Sequence, residues 1–166
     1  MLSLSQIACK DKFFFAFTGP KNFNDLNPAQ ITEAETYIAS QPENCLFHLD
    51  FLKEGAEFNA VFSSFDIVFL VYNNFASSSN RLTKASIFKK YAIAPNRFCV
   101  GEDVEKYKLG RTVPENDPKE ALKAIEILAS KIKNNDFSEA QFEYYAQLHS
   151  VETLAEKFVA VLDSVQ

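Results

Sequence analysis

The segment 66–122, DIVFLVYNNFASSSNRLTKASIFKKYAIAPNRFCVGEDVEKYKLGRTVPENDPKEAL, constrains the fold more than any other stretch, because its apolar pattern switches repeatedly between strand-like and helix-like spacing. The apolar run at 66–72 is short and bounded by polar residues, which suits a strand buried on both faces of a parallel sheet. A serine-rich turn at 76–80 follows it, and the spacing predicts a serine-capped helix over 77–90. A second strand is expected at 91–95 and a short helix at 100–107. Gly110 is expected to end that helix in the left-handed conformation that glycine adopts at little cost. A last short strand is read at 111–113. Asp117 then serves as N-cap and Pro118 as the first helical residue of a long helix whose buried side carries Ala121, Leu122, Ile125 and Leu128.

The remainder of the chain continues the same alternation. Residues 13–17 (FFFAF) form an apolar run stopped by Thr18-Gly19-Pro20, again in the style of a strand covered on both faces. Asn27-Pro28 opens a helix with Ile31, Ala34 and Ile38 on one side. A strand is read at 45–49, and an amphipathic helix packed on the sheet at 54–65 from the spacing of Phe58, Val61, Phe62 and Phe65. A helix is also read at 2–9. The 66–72 strand is the most hydrophobic and is assigned the centre of the sheet. After Asn134 only helical patterns occur: Ser138 is expected to cap a helix over 139–148, and 151–165 places Leu154, Phe158, Val161 and Leu162 on one face. Strands alternating with helices across short polar turns require right-handed crossovers. The expected fold class is therefore α/β, a Rossmann-like parallel sheet flanked by helices, with C-terminal helices at 138–166. A chain of 166 residues with 47% apolar content supports one such domain over 1–166.

Charge and cysteine usage narrow the function. A net charge of −5 and a single basic doublet, Lys89-Lys90, argue against nucleic-acid binding, which needs clustered cations to neutralise phosphates. Cys9, Cys45 and Cys99 are odd in number, widely spaced and set among strand-like residues, so they read as reduced, buried thiols in a cytoplasmic protein and as neither a disulfide frame nor a metal site. No apolar run approaches the roughly 18 residues of a spanning helix, and no charged region followed by an apolar one marks a secretory leader. His48 lies among strand residues and reads as a core or strand-end histidine; His149 falls at a helix C-terminus, where a cation complements the dipole. Asp50 and Asp66 lack a paired partner, so two-carboxylate acid–base chemistry is not indicated. The 17 phenylalanines fall within apolar strands and helix faces and do not form a base-stacking platform.

In an open α/β sheet ligands bind beyond the carboxyl ends of strands, where helix N-termini present free N–H groups. The stretch Phe75-Ala76-Ser77-Ser78-Ser79-Asn80 supplies such a helix start with three hydroxyls, and Arg81 and Lys84 lie in its first turns. A diphosphate suits this arrangement, and so does plain helix capping by the serines. Neither GxGxxG nor GxxxxGK[ST] is present, which sets aside ordinary dinucleotide and P-loop chemistry.

The run Glu105-Lys106-Tyr107-Lys108-Leu109-Gly110-Arg111, followed by Val113-Pro114 and Asp117-Pro118, resembles the EYGLG…V.P.DP..LA.AI pattern of the C-terminal, donor-binding domain of GT-B fold glycosyltransferases of the group 1 type. Nearly the whole chain fits that domain in the order of its strands and helices. The resemblance implies a transferase of glycan or polysaccharide biosynthesis, cytoplasmic or at the cytoplasmic face of a membrane, that binds a nucleotide-diphosphate sugar. It implies no cofactor and no metal. Ala76, Ser77, Ser78, Ser79 and Asn80 would hold the donor diphosphate with Arg81 and Lys84 nearby, and Thr18 and Gly19 would face the nucleotide. Two features depart from the family. Its retaining members carry two glutamates eight residues apart, where this chain has Ala76 and Lys84. The first phosphate-gripping strand and the acceptor-binding N-terminal domain also have no counterpart. The resemblance therefore implies half of an enzyme, inactive alone, completed by an N-terminal acceptor domain or a partner chain, with an exposed sheet edge open to homodimerisation. The competing expectation is a non-enzymatic α/β interaction module with a degenerate ligand site.

Overall fold

The computed structural model of the protein describes residues 2–24, 26–74 and 76–164. Asp25 in the loop before the Asn27 cap, Phe75 at the start of the serine turn and Val165 at the end of the last expected helix lie outside the described residues. The architecture is α/β, with short parallel sheets flanked by helices. The chain divides into two compact units, Met1–Val61 and Phe62–Gln166.

The first unit contains α1 (Leu2–Ile7), β1 (Phe15–Thr18), α2 (Pro28–Ala39), β2 (Cys45–His48) and most of α3 (Ala56–Ser63), within which the division falls. β1 and β2 pair in parallel, with Phe15 opposite Cys45 and Thr18 opposite His48. Asn27 and Gln30 form a reciprocal capping box at the start of α2, each side chain bonding the other's backbone N–H at 3.0 Å, and Pro28 sits where no donor is needed. A polar network ties α1 to α2 and β2. The Ser5 hydroxyl lies 2.9 Å from the Tyr37 hydroxyl, which lies 3.6 Å from Cys45 Sγ, and buried Asn44 donates to the Ser5 carbonyl. Burial raises the Tyr37 pKa, consistent with a hydroxyl held neutral inside this network. The expectation that 13–17 is covered on both faces is corrected: Phe15 is buried, the rest of β1 is only half-buried, and Phe14, which precedes the strand, is 65% exposed.

The second unit begins with the end of α3 and continues through β3 (Ile67–Phe69), α4 (Asn80–Ile87), β4 (Tyr91–Pro95), α5 (Phe98–Lys106), β5 (Gly110–Val113), α6 (Pro118–Lys133), α7 (Phe142–Leu148) and α8 (Val151–Asp163). The sheet order is β3-β4-β5, all parallel. β4 is the central strand and every one of its residues is buried, whereas the 66–72 run, expected in the centre, yields only three strand residues at an edge. The reason lies in composition: Ala92, Ile93 and Ala94 alternate small and branched side chains that helices can cover on both faces, and each is 0% exposed. Pro95 is tolerated in the central strand because its missing N–H would point past the end of β3, whose last contact is Leu70 N–H to the Ile93 carbonyl at 2.7 Å.

Gly110 has a different task from the one expected. It does not end α5 in the left-handed region. Lys108 does so, at φ 56°, while the Leu109 N–H reaches back to the Val104 carbonyl at 3.0 Å and both apolar side chains are fully buried. Gly110 instead lies against β4, where an added Cβ would stand 1.8 Å from the Ala92 carbonyl oxygen. A glycine there is what lets β5 approach the central strand.

Asp117 caps α6 through the N–H groups of Lys119 and Glu120, with Pro118 as its first residue, as expected, and Ala121, Ile125 and Leu128 face the core with Ala124, while Leu122, expected among them, is only half-buried. Ser138 does not cap the next helix; its hydroxyl bonds Asp136 instead, and α7 starts later, at Phe142, because Phe142 and Tyr145 must enter the core beside Tyr91 and Tyr107. The cysteines are free, as expected, yet Cys9 and Cys99 are exposed and Cys45 is half-buried, so the expectation of buried thiols holds for none of the three. Among the described residues no helix is long and apolar enough to cross a membrane.

Candidate functional site

The carboxyl ends of β3, β4 and β5 deliver three loops to one edge of the second unit, and a single cluster joins them. Arg97, after β4, donates through Nε to Glu115 Oε1 at 3.2 Å and through Nη2 to Glu115 Oε2 at 2.6 Å. The same nitrogen donates to Asn74 Oδ1 at 3.0 Å, and Asn74's backbone N–H turns to the Glu115 carboxylate at 3.3 and 3.4 Å. Asn74 takes a φ of 49°, a left-handed conformation that asparagine tolerates better than most residues and that aims its N–H at the carboxylate. The forked Arg–carboxylate pair lowers the Glu115 pKa from its ordinary value, and only 10% of its side chain is exposed. This cluster escaped the sequence reading. Its members are 23 and 18 residues from Arg97, and only the parallel topology brings them together.

Beside that edge, the start of α4 opens on a cavity of about 330 Å³ lined by Ser78, Ser79, Asn80, Thr83, Lys84, Ile87, Tyr145 and His149. Asn80, Thr83, Lys84 and Ile87 recur at helical spacing on one face of α4, and Tyr145 and His149 stand four apart on α7, which packs alongside. Ser79 is the N-cap residue, with the extended backbone a cap requires (φ −122°, ψ 118°), but its hydroxyl makes no capping bond to the helix. The residue is nonetheless only 9% exposed. By contrast Asn27, Asp117 and Ser150 each bond the N–H groups of the helix they begin. A serine does stand at the N-cap position, as expected, but its hydroxyl makes no capping bond, and the helix begins at Asn80, three residues later than the expected start at 77.

The far wall is fixed by charge and aromatic packing. Tyr145 is 1% exposed, donates its hydroxyl to Asp103 Oδ2 on α5 at 2.9 Å, and lies 4.4 Å, ring centre to ring centre, from His149. Burial, followed by the bond to Asp103, raises its pKa far above the ordinary tyrosine value. A salt bridge between Lys89 and Glu143 at 2.7 Å ties the opposite ends of α4 and α7. His149 is the C-cap of α7, the position the sequence assigned it.

Of the residues expected to hold a donor, the structure gathers Ser78, Ser79, Asn80 and Lys84 around one cavity. Ala76, Ser77 and Arg81 are exposed and outside its lining. Thr18 ends β1 in the first unit, and Gly19 follows it at φ 103°, donating its N–H to the His48 carbonyl at 3.0 Å. Tyr145 and His149 were not foreseen as site residues, although their four-residue spacing places them on one helical face. The positive end of α4, hydroxyls and the Lys84 ammonium give the cavity the chemistry of an anion site, with Ile87 and the Tyr145 ring as an apolar floor. No paired carboxylates line it, and among the described residues no group of three or more His, Cys, Asp or Glu is placed to hold a metal ion. No protein-family model matches the chain, and no curated protein is detectably similar to it.

Proposed function

We propose that the chain is the donor-binding half of a glycosyltransferase, a Rossmann-like domain of the GT-B type that holds the diphosphate of a nucleotide-activated sugar at the start of α4. The observation that carries this reading is Ser79: a nearly buried N-cap residue that lines the cavity with Lys84 and whose hydroxyl makes no capping bond to the helix. A phosphoryl group placed there takes the role of the missing cap and meets the positive end of the helix dipole. The cavity's volume of about 330 Å³ accommodates a diphosphate with part of its sugar, at the low end of the range for small-molecule sites. The catalytic contribution is electrostatic, through fixed donors that receive the charge of the departing nucleoside diphosphate. No cofactor or metal enters this reading. The enzyme works in the cytoplasm or at its membrane face, and turnover requires an acceptor-binding domain or partner chain.

The test is thermal unfolding of the chain with UDP-, GDP- and ADP-sugars. Ligand at a hundredfold excess over its dissociation constant should stabilise the protein by about 2.7 kcal/mol, or roughly 5–10 °C for a chain of this size. The shift should disappear in a Ser79→Ala, Lys84→Ala double variant; no shift with any of the three donors overturns the reading. A second reading, a non-enzymatic interaction module with a degenerate site, is favoured by the Arg97–Glu115–Asn74 cluster, which joins the three strand-end loops to one another where a ligand would otherwise enter. It predicts that no nucleotide-sugar shifts the melt.

A further inference from the structure

α8 contributes nothing to the core of this chain. None of its residues is buried, although its sequence is strongly amphipathic. Val151, Leu154, Phe158, Val159, Val161 and Leu162 are 77%, 68%, 64%, 54%, 62% and 54% exposed. Val151, Leu154, Phe158 and Val161 follow the a and d positions of a heptad repeat, and Leu162 widens the stripe on one flank. The helix is nevertheless firmly begun. Ser150 caps it through the Thr153 N–H at 3.1 Å, and the Thr153 hydroxyl donates to the Gln147 carbonyl at 2.8 Å, fixing the joint with α7.

We propose that α8 pairs with α8 of a second copy of this chain, forming an isologous homodimer along the seam of Val151, Leu154, Phe158 and Val161. Area supports this partner. The four seam residues and Leu162 together expose on the order of 600 Å², the top of the range for a monomer's largest apolar patch and about what each subunit gives the smallest stable interfaces. Charge supports it as well. A chain of net charge −5 repels its own copy wherever acids face each other, but Glu152, Glu156 and Asp163 all lie on the side of α8 opposite the seam, and no acid falls at an a or d position. The same acidic outer face disfavours an anionic membrane surface, which attracts helices with basic polar faces.

The proposal is tested by sedimentation equilibrium of the intact chain across the micromolar range. The expected result is a concentration-dependent species of twice 18.8 kDa. Leu154→Glu with Phe158→Glu should weaken association by at least about tenfold while leaving the thermal melt of the monomer unchanged, since neither side chain is buried within the chain. Glu152→Gln with Glu156→Gln, on the opposite face, should leave association intact or strengthen it. A chain that stays monomeric throughout the range overturns the proposal. So does a dimer that survives the seam substitutions, and so does association driven by anionic vesicles in place of self-pairing.

Discussion

Replacing Gly110 with alanine tests how the central sheet is assembled. The new Cβ would stand 1.8 Å from the Ala92 carbonyl oxygen, 2.7 Å from its carbon and 2.8 Å from its nitrogen. All three are backbone atoms of the fully buried strand β4, so no side chain can swing aside. Ordinary contact needs about 3.4 Å or more, so β5 must retreat by roughly 1.5 Å at this point. That movement stretches the 2.9 Å bond between the Ala92 N–H and the Leu109 carbonyl beyond hydrogen-bonding range. Losing that bond and stranding a buried donor costs about 1–3 kcal/mol, and unpacking Leu109 and Val113, both nearly fully buried, adds about 1–2 kcal/mol more. The expected destabilisation is about 2–5 kcal/mol, read as a drop in the urea midpoint at unchanged slope by circular dichroism. Gly55→Ala is the comparison: its Cβ meets open space and its φ of 119° imposes only a local strain of about 1–2 kcal/mol. A Gly110→Ala variant within about 1 kcal/mol of the parent, or less destabilised than Gly55→Ala, would refute the close-approach argument.

Two further predictions concern pH. The Glu115 carboxylate has its pKa lowered by Arg97, so the cluster's contribution is present above the ordinary carboxylate pKa of 4.5 and is lost as pH falls through the depressed value; Glu115→Gln should flatten the acid limb of a stability–pH profile, and an unchanged limb would contradict the assignment. Tyr145 has its pKa raised, so its stabilising effect is present below the ordinary value of 10.0 and fades as pH rises beyond it. Tyr145→Phe should remove that alkaline loss while costing about 1 kcal/mol near neutral pH through the broken bond to Asp103, checked by urea titration at two pH values.

Local chemistry made much of this fold legible. Asn27-Pro28 and Asp117-Pro118 announce helix starts through the side chain and the ring that begin a helix most favourably, and both helices begin there. Helix ends were harder to read. Lys108 takes the left-handed position after α5, as Lys89 does after α4, because the next residue's N–H reaches back to a helix carbonyl, and at buried Leu109 that demand outweighs lysine's modest strain. Gly110 was therefore a true signal with a misread cause. The apolar content of 66–72 suggested a central strand, but centrality depends on which strands find neighbours on both sides, a long-range property that β4 satisfies. In the site, the serine turn, Asn80 and Lys84 were readable from one stretch of sequence. Tyr145, His149 and the Arg97–Glu115–Asn74 cluster come from distant segments that only the packing of α4 on α7 and the parallel order of the strands bring together.

Calorimetric titration of a nucleotide-diphosphate sugar into the parent chain and into Ser79→Asp tests the proposed donor site most directly. Aspartate sets a full negative charge at the positive end of α4, where the Ser79 hydroxyl makes no capping bond, so it should raise stability by about 0.3–1 kcal/mol and exclude the diphosphate by charge. The account predicts saturable binding to the parent and none to the more stable variant. Equal binding to both, or no binding to the parent, would contradict it.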